Sequence, residues 1–598
     1  MTITERLAAL RRLMKERGVD AYYIPSDDFH GSEYVGEHFK CRKFMSGFTG
    51  SAGTLVVMAG RADLWTDGRY FLQAEQQLEG TGITLEKMGE EGVPTVLEYL
   101  KAHLAAGQVL GFDGRTVTTV SGGDFERELP GVQIACDMDL VGEVWTDRPA
   151  ISSEPIWEMD AALTGYTRAQ KIADIRSDMA AKGADTLVIA SLDDIAWLLN
   201  IRGDDVACNP VVMAYLMMTA DQVTAYVQTR ALPDAVRAAL EADGVTVREY
   251  EDIYRDVTGI SAGSCVWIDP SSVNYKLRSL LPDGVQIVEA DNPTIIRKAI
   301  KTPEEVGNMR RSHIRDGVAV CRFIYWLKTH VGKETITELS AAEKLEEFRG
   351  MGEGYLGPSF ESIVGYADHG AIIHYEPTPE TDVELKPEHM LLVDSGGQYH
   401  DGTTDITRTI VLGPVTEREK EFFTRVLIGH LNLGSAQFRE GCSGLNLDYL
   451  AREPLWEIGE DFNHGTGHGV GFVLNVHEGP NSFHWRSMPR RKANTPFAEG
   501  MITSDEPGYY PEGEFGIRHE NLMVCVKGEK RPSGQFMHFE FLTMVPFDRE
   551  AIVPEMMTKR ELKALNDYHQ LVRENIAPLL EGEEREWLIA ATEPIEAE

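Results

Sequence analysis

In the opening segment MTITERLAALRRLMKERG, Leu7, Leu10, Leu13 and Met14 recur at helical spacing, with charged residues between them. Gly18 interrupts the pattern and the apolar run AYYI follows, which predicts an amphipathic helix, a glycine stop and a buried strand. The same order returns later. The segment from Arg6 aligns without gaps on the segment from Lys171, matching Ala8 with Ala173, Arg11 with Arg176, Met14 with Met179, Gly18 with Gly183, Asp20 with Asp185 and Ser26 with Ser191. Two α/β domains of one kind are therefore expected, over residues 1–158 and 159–303, joined through the Pro- and Ser-rich stretch TDRPAISSEPIW. At the next boundary Thr302, Pro303 and Glu305 occupy the N-cap, N1 and N3 positions of a capping box, which predicts a long helix opening a third domain, 304–598. From about residue 549 the pattern is again that of amphipathic helices, suited to packing or a dimer surface rather than to chemistry.

Length and composition narrow the class. A chain of 598 residues is too long for one core, and 42% apolar with 26% charged residues is the balance of a globular protein that folds throughout. The formal charge of -37 repels phosphate backbones and anionic lipid, so neither nucleic acid nor a membrane is expected as partner. No run of eighteen apolar residues occurs, and the amphipathic opening is unlike a signal peptide. The 7 cysteines are scattered without CxxC pairs, which points away from disulfides and thiolate zinc and towards a reducing cytoplasm.

Residues 464–480, HGTGHGVGFVLNVHEGP, crowd histidine and glycine together. A Walker-type phosphate loop needs Gly-Lys-Ser/Thr, which is absent. His464 and His468 stand four apart as in a zinc helix, but each intervening glycine costs about 1 kcal/mol of helix stability. An extended backbone passing close to something bulky or charged is the reading left. Carboxylates come from elsewhere. Asp394 and Asp405 punctuate the apolar strand-like runs of MLLVDSGGQYHDGTTDITRTIVL, MITSDEPGYY offers Asp505 and Glu506, and FGIRHENLMVCV places Arg518 and Glu520 on one face of a strand by their two-residue spacing. Carboxylates converging in buried strands with few basic partners require cations. Oxygen-rich donors with one imidazole suit two divalent ions such as Mn, with Co or Zn as alternatives, and so a two-metal hydrolase.

The segments HYEP, DSGGQYHDGTTDITRT, HGTGHGVG, NVHEGP, SDEPGYY and GIRHEN resemble the signature of the pita-bread metallopeptidases, above all the three-domain cytosolic aminopeptidases P. SGFTGSAGTLVV, WTDGRYFLQAEQQ, IAWLLNIRG and WLIAATEPI extend the resemblance over the whole chain. It implies two creatinase-like α/β domains ahead of a pita-bread catalytic domain, and cleavage of the Xaa-Pro bond by a hydroxide held between two metal ions. It also implies that Asp394 holds one ion, that His468 and Glu506 hold the other, and that Asp405 and Glu520 bridge both. Glu506 further resembles a proton shuttle to the leaving proline nitrogen. His374 and His477 match histidines that contact substrate or stabilise the tetrahedral intermediate, His464 matches a third, and Arg518 is expected to orient a ligand carboxylate. For Arg69 and Phe48 the resemblance leaves two roles open, a place near a substrate channel or a structural one. His519 departs from the apolar residue expected there and should point away from the metals. A cytoplasmic homodimer acting on peptides with an Xaa-Pro amino terminus follows. Prolidase-like dipeptidases and pita-bread modules that only bind peptide are the competing readings; the first commonly carry one amino-terminal domain, and the second have lost metal ligands that are all present here.

Overall fold

Both copies of the repeat fold alike, for the reasons their sequences state. Thr2 and Glu5 form a capping box on helix Ile3–Arg17, which Gly18 ends in the left-handed region at φ 69°. Thr167 and Gln170 cap helix Arg168–Lys182, and Gly183 ends it at φ 72°. The strands that follow, Ala21–Ile24 and Thr186–Ile189, lie inside 6-stranded sheets of the same topology. In each, two antiparallel neighbours and then a parallel edge strand lie on one side, and two parallel strands on the other. Six matched residues in a weak sequence repeat therefore mark a complete structural duplication.

The structure is a computed structural model that describes residues 1–487 and 494–596. These form two compact units: residues 1–161 with 166–294, and a second that begins at Ile295 and includes 162–165. The two repeat copies thus share one unit. Buried polar contacts join them, with Asn274 Nδ2 donating to the Phe29 carbonyl at 2.9 Å and His30 Nδ1 lying 2.8 Å from the Ala190 carbonyl.

In the second unit the capping box starts a long helix, as its residues predict. Thr302 and Glu305 cap the 28-residue helix Pro303–His330, with Pro303 at its start. An antiparallel sheet follows, with Met390–Ser395 between Ile363–Tyr366 and Ile406–Val411. A second sheet runs Gln437–Arg439, Gly534–Phe541, Asn521–Arg531, Ile502–Asp505. The closing helices Lys559–Ile576 and Gly582–Ala591 bury Leu562, Leu565, Val572, Ile576 and Leu588 in the same core as Phe323, Leu391 and Ile410. At about 1.5–3 kcal/mol for each buried aliphatic side chain, they are part of this unit's core and no loose appendage. Tyr568 carries this contact to the site: its hydroxyl accepts from Arg408 Nη2 at 2.9 Å, and Arg408 Nη1 donates to the Glu520 carbonyl at 2.6 Å.

Candidate metal centre

Asp394 lies within strand Met390–Ser395, directly across from Thr407 on the neighbouring strand. The other three acids do not sit inside strands. Asp405 immediately precedes Ile406–Val411, Glu506 immediately follows Ile502–Asp505, and Glu520 falls between Ile517–Arg518 and Asn521–Arg531. The expected single strand carrying Arg518 and Glu520 is broken at His519 and Glu520. Strand ends free the side chains from strict alternation, so acids from separate strands can point at one place. Asp505 turns the other way, with its Oδ2 3.3 Å from His430 Nδ1.

Asp405, His468 and Glu520 each offer one ligand atom, and all three atoms lie within 4.8 Å of one another. His468 Nε2 is 3.5 Å from Asp405 Oδ2 and 3.3 Å from Glu506 Oε1. Its Nδ1 lies 3.0 Å from the Gly469 carbonyl, which takes the Nδ1 proton and leaves Nε2 as the ligating nitrogen. Arg518 Nη2 donates to Asp394 Oδ2 at 2.6 Å, Thr407 donates to Glu520 Oε2 at 2.8 Å, and Ser504 donates to Glu506 Oε1 at 3.0 Å. One oxygen of each pair is thereby fixed. Asp394 Oδ1, Asp405 Oδ1 and Glu520 Oε1 remain buried and accept no hydrogen bond from a described residue.

Three of these acids resist ionisation. Burial raises the pKa of Asp394, Glu506 and Glu520, Glu520 most clearly, and the neighbouring carboxylates raise them further, while Arg518 opposes the shift at Asp394. Burial disfavours the His468 imidazolium, but Asp405 and Glu506 outweigh it and push that pKa up to about 9. Orphaned buried oxygens beside an imidazole held in one tautomer fit divalent cations of the hard or borderline kind.

A stability prediction follows for the protein stripped of metal. Carboxyls and an imidazole with raised folded-state values bind more protons folded than unfolded, so their contribution is present at low pH and lost as pH rises. The second unit should therefore melt at a lower temperature at pH 9 than at pH 6 without metal, and saturating divalent ion should shrink that difference. Calorimetry at the two pH values with and without chelator checks this; a metal-free melting temperature independent of pH contradicts it.

The glycines on either side of His468 lie against neighbouring backbone. A Cβ on Gly467 would lie 1.9 Å from the Ser504 carbonyl, and one on Gly469 would lie 2.1 Å from the Glu478 carbonyl. Gly467–His468 pairs with Ser482–Phe483, and Gly469 bridges to Thr503. Around His468 the stretch is extended, as expected, and Gly467 and Gly469 make room for neighbouring backbone.

Models of known families match the chain throughout. The Creatinase/Prolidase N-terminal domain matches residues 6–140 and again 147–305, metallopeptidase family M24 matches 307–527, and the C-terminal region of that peptidase matches 535–595. The Xaa-Pro aminopeptidase of Drosophila melanogaster is 40% identical over 99% of both chains. The chain belongs to the Xaa-Pro aminopeptidase family. Human Xaa-Pro aminopeptidase 2 is 36% identical over 99% of this chain and 89% of its own. The crystal structure of the X-prolyl aminopeptidase of Caenorhabditis elegans, described as a cytosolic enzyme with a di-nuclear active site, superposes with a TM-score of 0.94 at 34% identity over 100% of both chains.

Within this Xaa-Pro aminopeptidase fold the three other histidines surround the carboxylates differently. His477 stands edge-on to His468, ring centres 4.3 Å apart. His464 is bound at both nitrogens, Nδ1 2.8 Å from the Gly465 carbonyl and Nε2 2.9 Å from the Tyr510 hydroxyl. Burial and the Arg518 charge hold its pKa well below the usual value, so it is neutral. Arg518 Nη1 donates to the same Tyr510 hydroxyl at 2.8 Å, which links His464 to Asp394 through Tyr510 and Arg518. His374 follows the turn Ala367–Ala371, near enough to His464 for its charge to oppose protonation there. His519 points away, its Nε2 3.3 Å from the Phe423 carbonyl and its ring between Phe423 and Phe547.

In the other unit, Phe48 is completely buried, with Tyr70 edge-on and the Arg42 guanidinium 4.8 Å above its ring. Its ring packs in the core of that unit. Arg69 is tied to Asp67 by Nε at 2.8 Å and lies over Tyr70.

Thr407, Ser504 and Tyr510 were not singled out from sequence. A period-two rule finds the first two, since Thr407 follows Asp405 and Ser504 precedes Glu506 by two residues. Nothing local marks Tyr510 apart from Tyr509.

Proposed function

We propose that this protein is a metal-dependent aminopeptidase that removes the first residue from peptides with proline in second position, using two divalent ions, Mn2+ foremost. The observation that supports this best is the carboxylate-imidazole cluster with orphaned buried oxygens, in a chain superposable along its whole length on a di-nuclear X-prolyl aminopeptidase. On this reading Asp394 holds one ion, His468 and Glu506 the other, and Asp405 and Glu520 both. Bound there, the ions acidify water and polarise the scissile carbonyl.

The chain's own groups supply the rest. Glu506 would carry a proton from the attacking water to the departing proline nitrogen. His374 and His477 face the peptide, and neutral His464 holds Tyr510 in place. A bond to proline has no N–H, so a site that does not need that donor can accept it. A cytoplasmic homodimer is part of the reading. Among the described residues no helix is long and apolar enough to cross a membrane, and Tyr449, Trp456 and Trp485 form an exposed aromatic patch that a second copy would cover.

The test is a product assay on Xaa-Pro-Yaa, Xaa-Ala-Yaa and Xaa-Pro peptides. Cleavage of the first at the Xaa-Pro bond, abolished by chelation and restored best by Mn2+, is expected. Preference for the dipeptide would make the protein a prolidase-like dipeptidase, and no cleavage of any peptide with metal bound would make it a binding module.

A further inference from the structure

Glu478, next to His477, is a buried carboxylate that the reaction as described does not use. Lys298 Nζ lies 3.0 Å from its Oε2, and Lys301 Nζ contacts its Oε1. The Lys301 side chain is only 1% exposed, and its backbone N–H donates to the Gly500 carbonyl at 3.1 Å. The segment just ahead of the long helix is thus clamped on Glu478 by charge-assisted bonds.

The other end of Glu478 reaches the metal ligand. Its N–H donates to the Gly469 carbonyl at 2.7 Å, the same oxygen that receives His468 Nδ1 at 3.0 Å. The Gly469 N–H is held in turn by the Asn481 carbonyl at 2.9 Å, and the Glu478 carbonyl lies so close to the Gly469 Cα that no side chain fits there. One carbonyl therefore sets which His468 nitrogen carries a proton and how the ring is turned, and Glu478 sets the carbonyl. His477, edge-on to His468, shares the same anchor through its peptide bond to Glu478.

We propose that Glu478, pinned by Lys298 and Lys301, is a positioning residue for the metal centre: it fixes the Gly469 carbonyl, and through it the tautomer and orientation of His468 and the place of His477. This rests on His468 being a metal ligand.

The test uses the full chain and three proteins: wild type, Glu478→Gln, and the double variant Lys301→Met with Glu478→Gln, which removes the Lys301–Glu478 pair while the glutamine amide oxygen remains to accept from Lys298. Each is titrated with Co2+ alone, followed by its visible absorption, and kcat, KM and the metal-free melting temperature are measured. Outer partners of metal-bound histidine are worth roughly 10–100-fold in affinity or activity. The double variant should fold, lose Co2+ affinity and kcat by about that factor, and keep KM within about threefold. Co2+ affinity and kcat within twofold of wild type would overturn the proposal. So would failure of both variants to fold without metal, which would make the cluster a fold-holding element. Absence of Co2+ binding by wild type would instead sink the metal-centre reading beneath it.

Discussion

Replacing Asp405 with Asn should reduce Xaa-Pro cleavage by roughly three orders of magnitude or more, because one side chain serves both proposed ions. Asp405 lies in the three-residue cluster with His468 and Glu520, and its Oδ1 is one of the orphaned oxygens. The amide keeps the shape and removes the charge. The same change should leave the metal-free protein as stable as wild type or more so, since Asp405 raises the pKa of Glu520 and Glu506 by repulsion. Opposite movements of activity and metal-free stability separate loss of a ligand from damage to the fold. Initial rates with added Mn2+ and calorimetry after chelation check both, and near-normal turnover would contradict the assignment of Asp405.

Arg518→Met should be the most destabilising change at the site. Arg518 is buried, and its guanidinium serves Asp394 Oδ2, Thr407 Oγ1 and the Tyr510 hydroxyl. Removing one member of a buried pair leaves the other charge uncompensated at a cost of about 3–5 kcal/mol. Lysine cannot replace it, having no planar fork to reach these partners together. The loss should be largest without metal and smaller when an ion at Asp394 supplies positive charge. Denaturant unfolding of the catalytic unit with and without Mn2+ measures it; equal losses in both states would show that Asp394 does not face a metal.

The helices and the duplication were legible because they are written locally. Thr2, Thr302 and Gly18 specify caps by backbone chemistry that needs no partner, and the repeat from Lys171 rebuilds the same 6-stranded sheet. The proposed ligand set rests on a resemblance spread over distant segments, since no local pattern brings Asp394 to Glu520. Other features depended on tertiary contact. Gly467 and Gly469 of HGTGHGVG answer to the Ser504 and Glu478 carbonyls, which lie outside that motif. Phe48 is placed in the core by contacts with Tyr70 and Arg42 that its own segment does not announce. The acids at strand ends escaped a reading by alternation because breaks such as that at Glu520 depend on what the side chain must reach.

Metal content measured alongside activity tests the central claim most directly. Protein stripped by chelation, then dialysed against increasing Mn2+, is assayed for bound metal by elemental analysis and for release of the first residue from an Xaa-Pro-Yaa peptide. Stripped protein should be inactive, and activity should rise with bound metal and saturate at two ions per chain. Full Xaa-Pro cleavage by protein holding less than one ion per chain would contradict it.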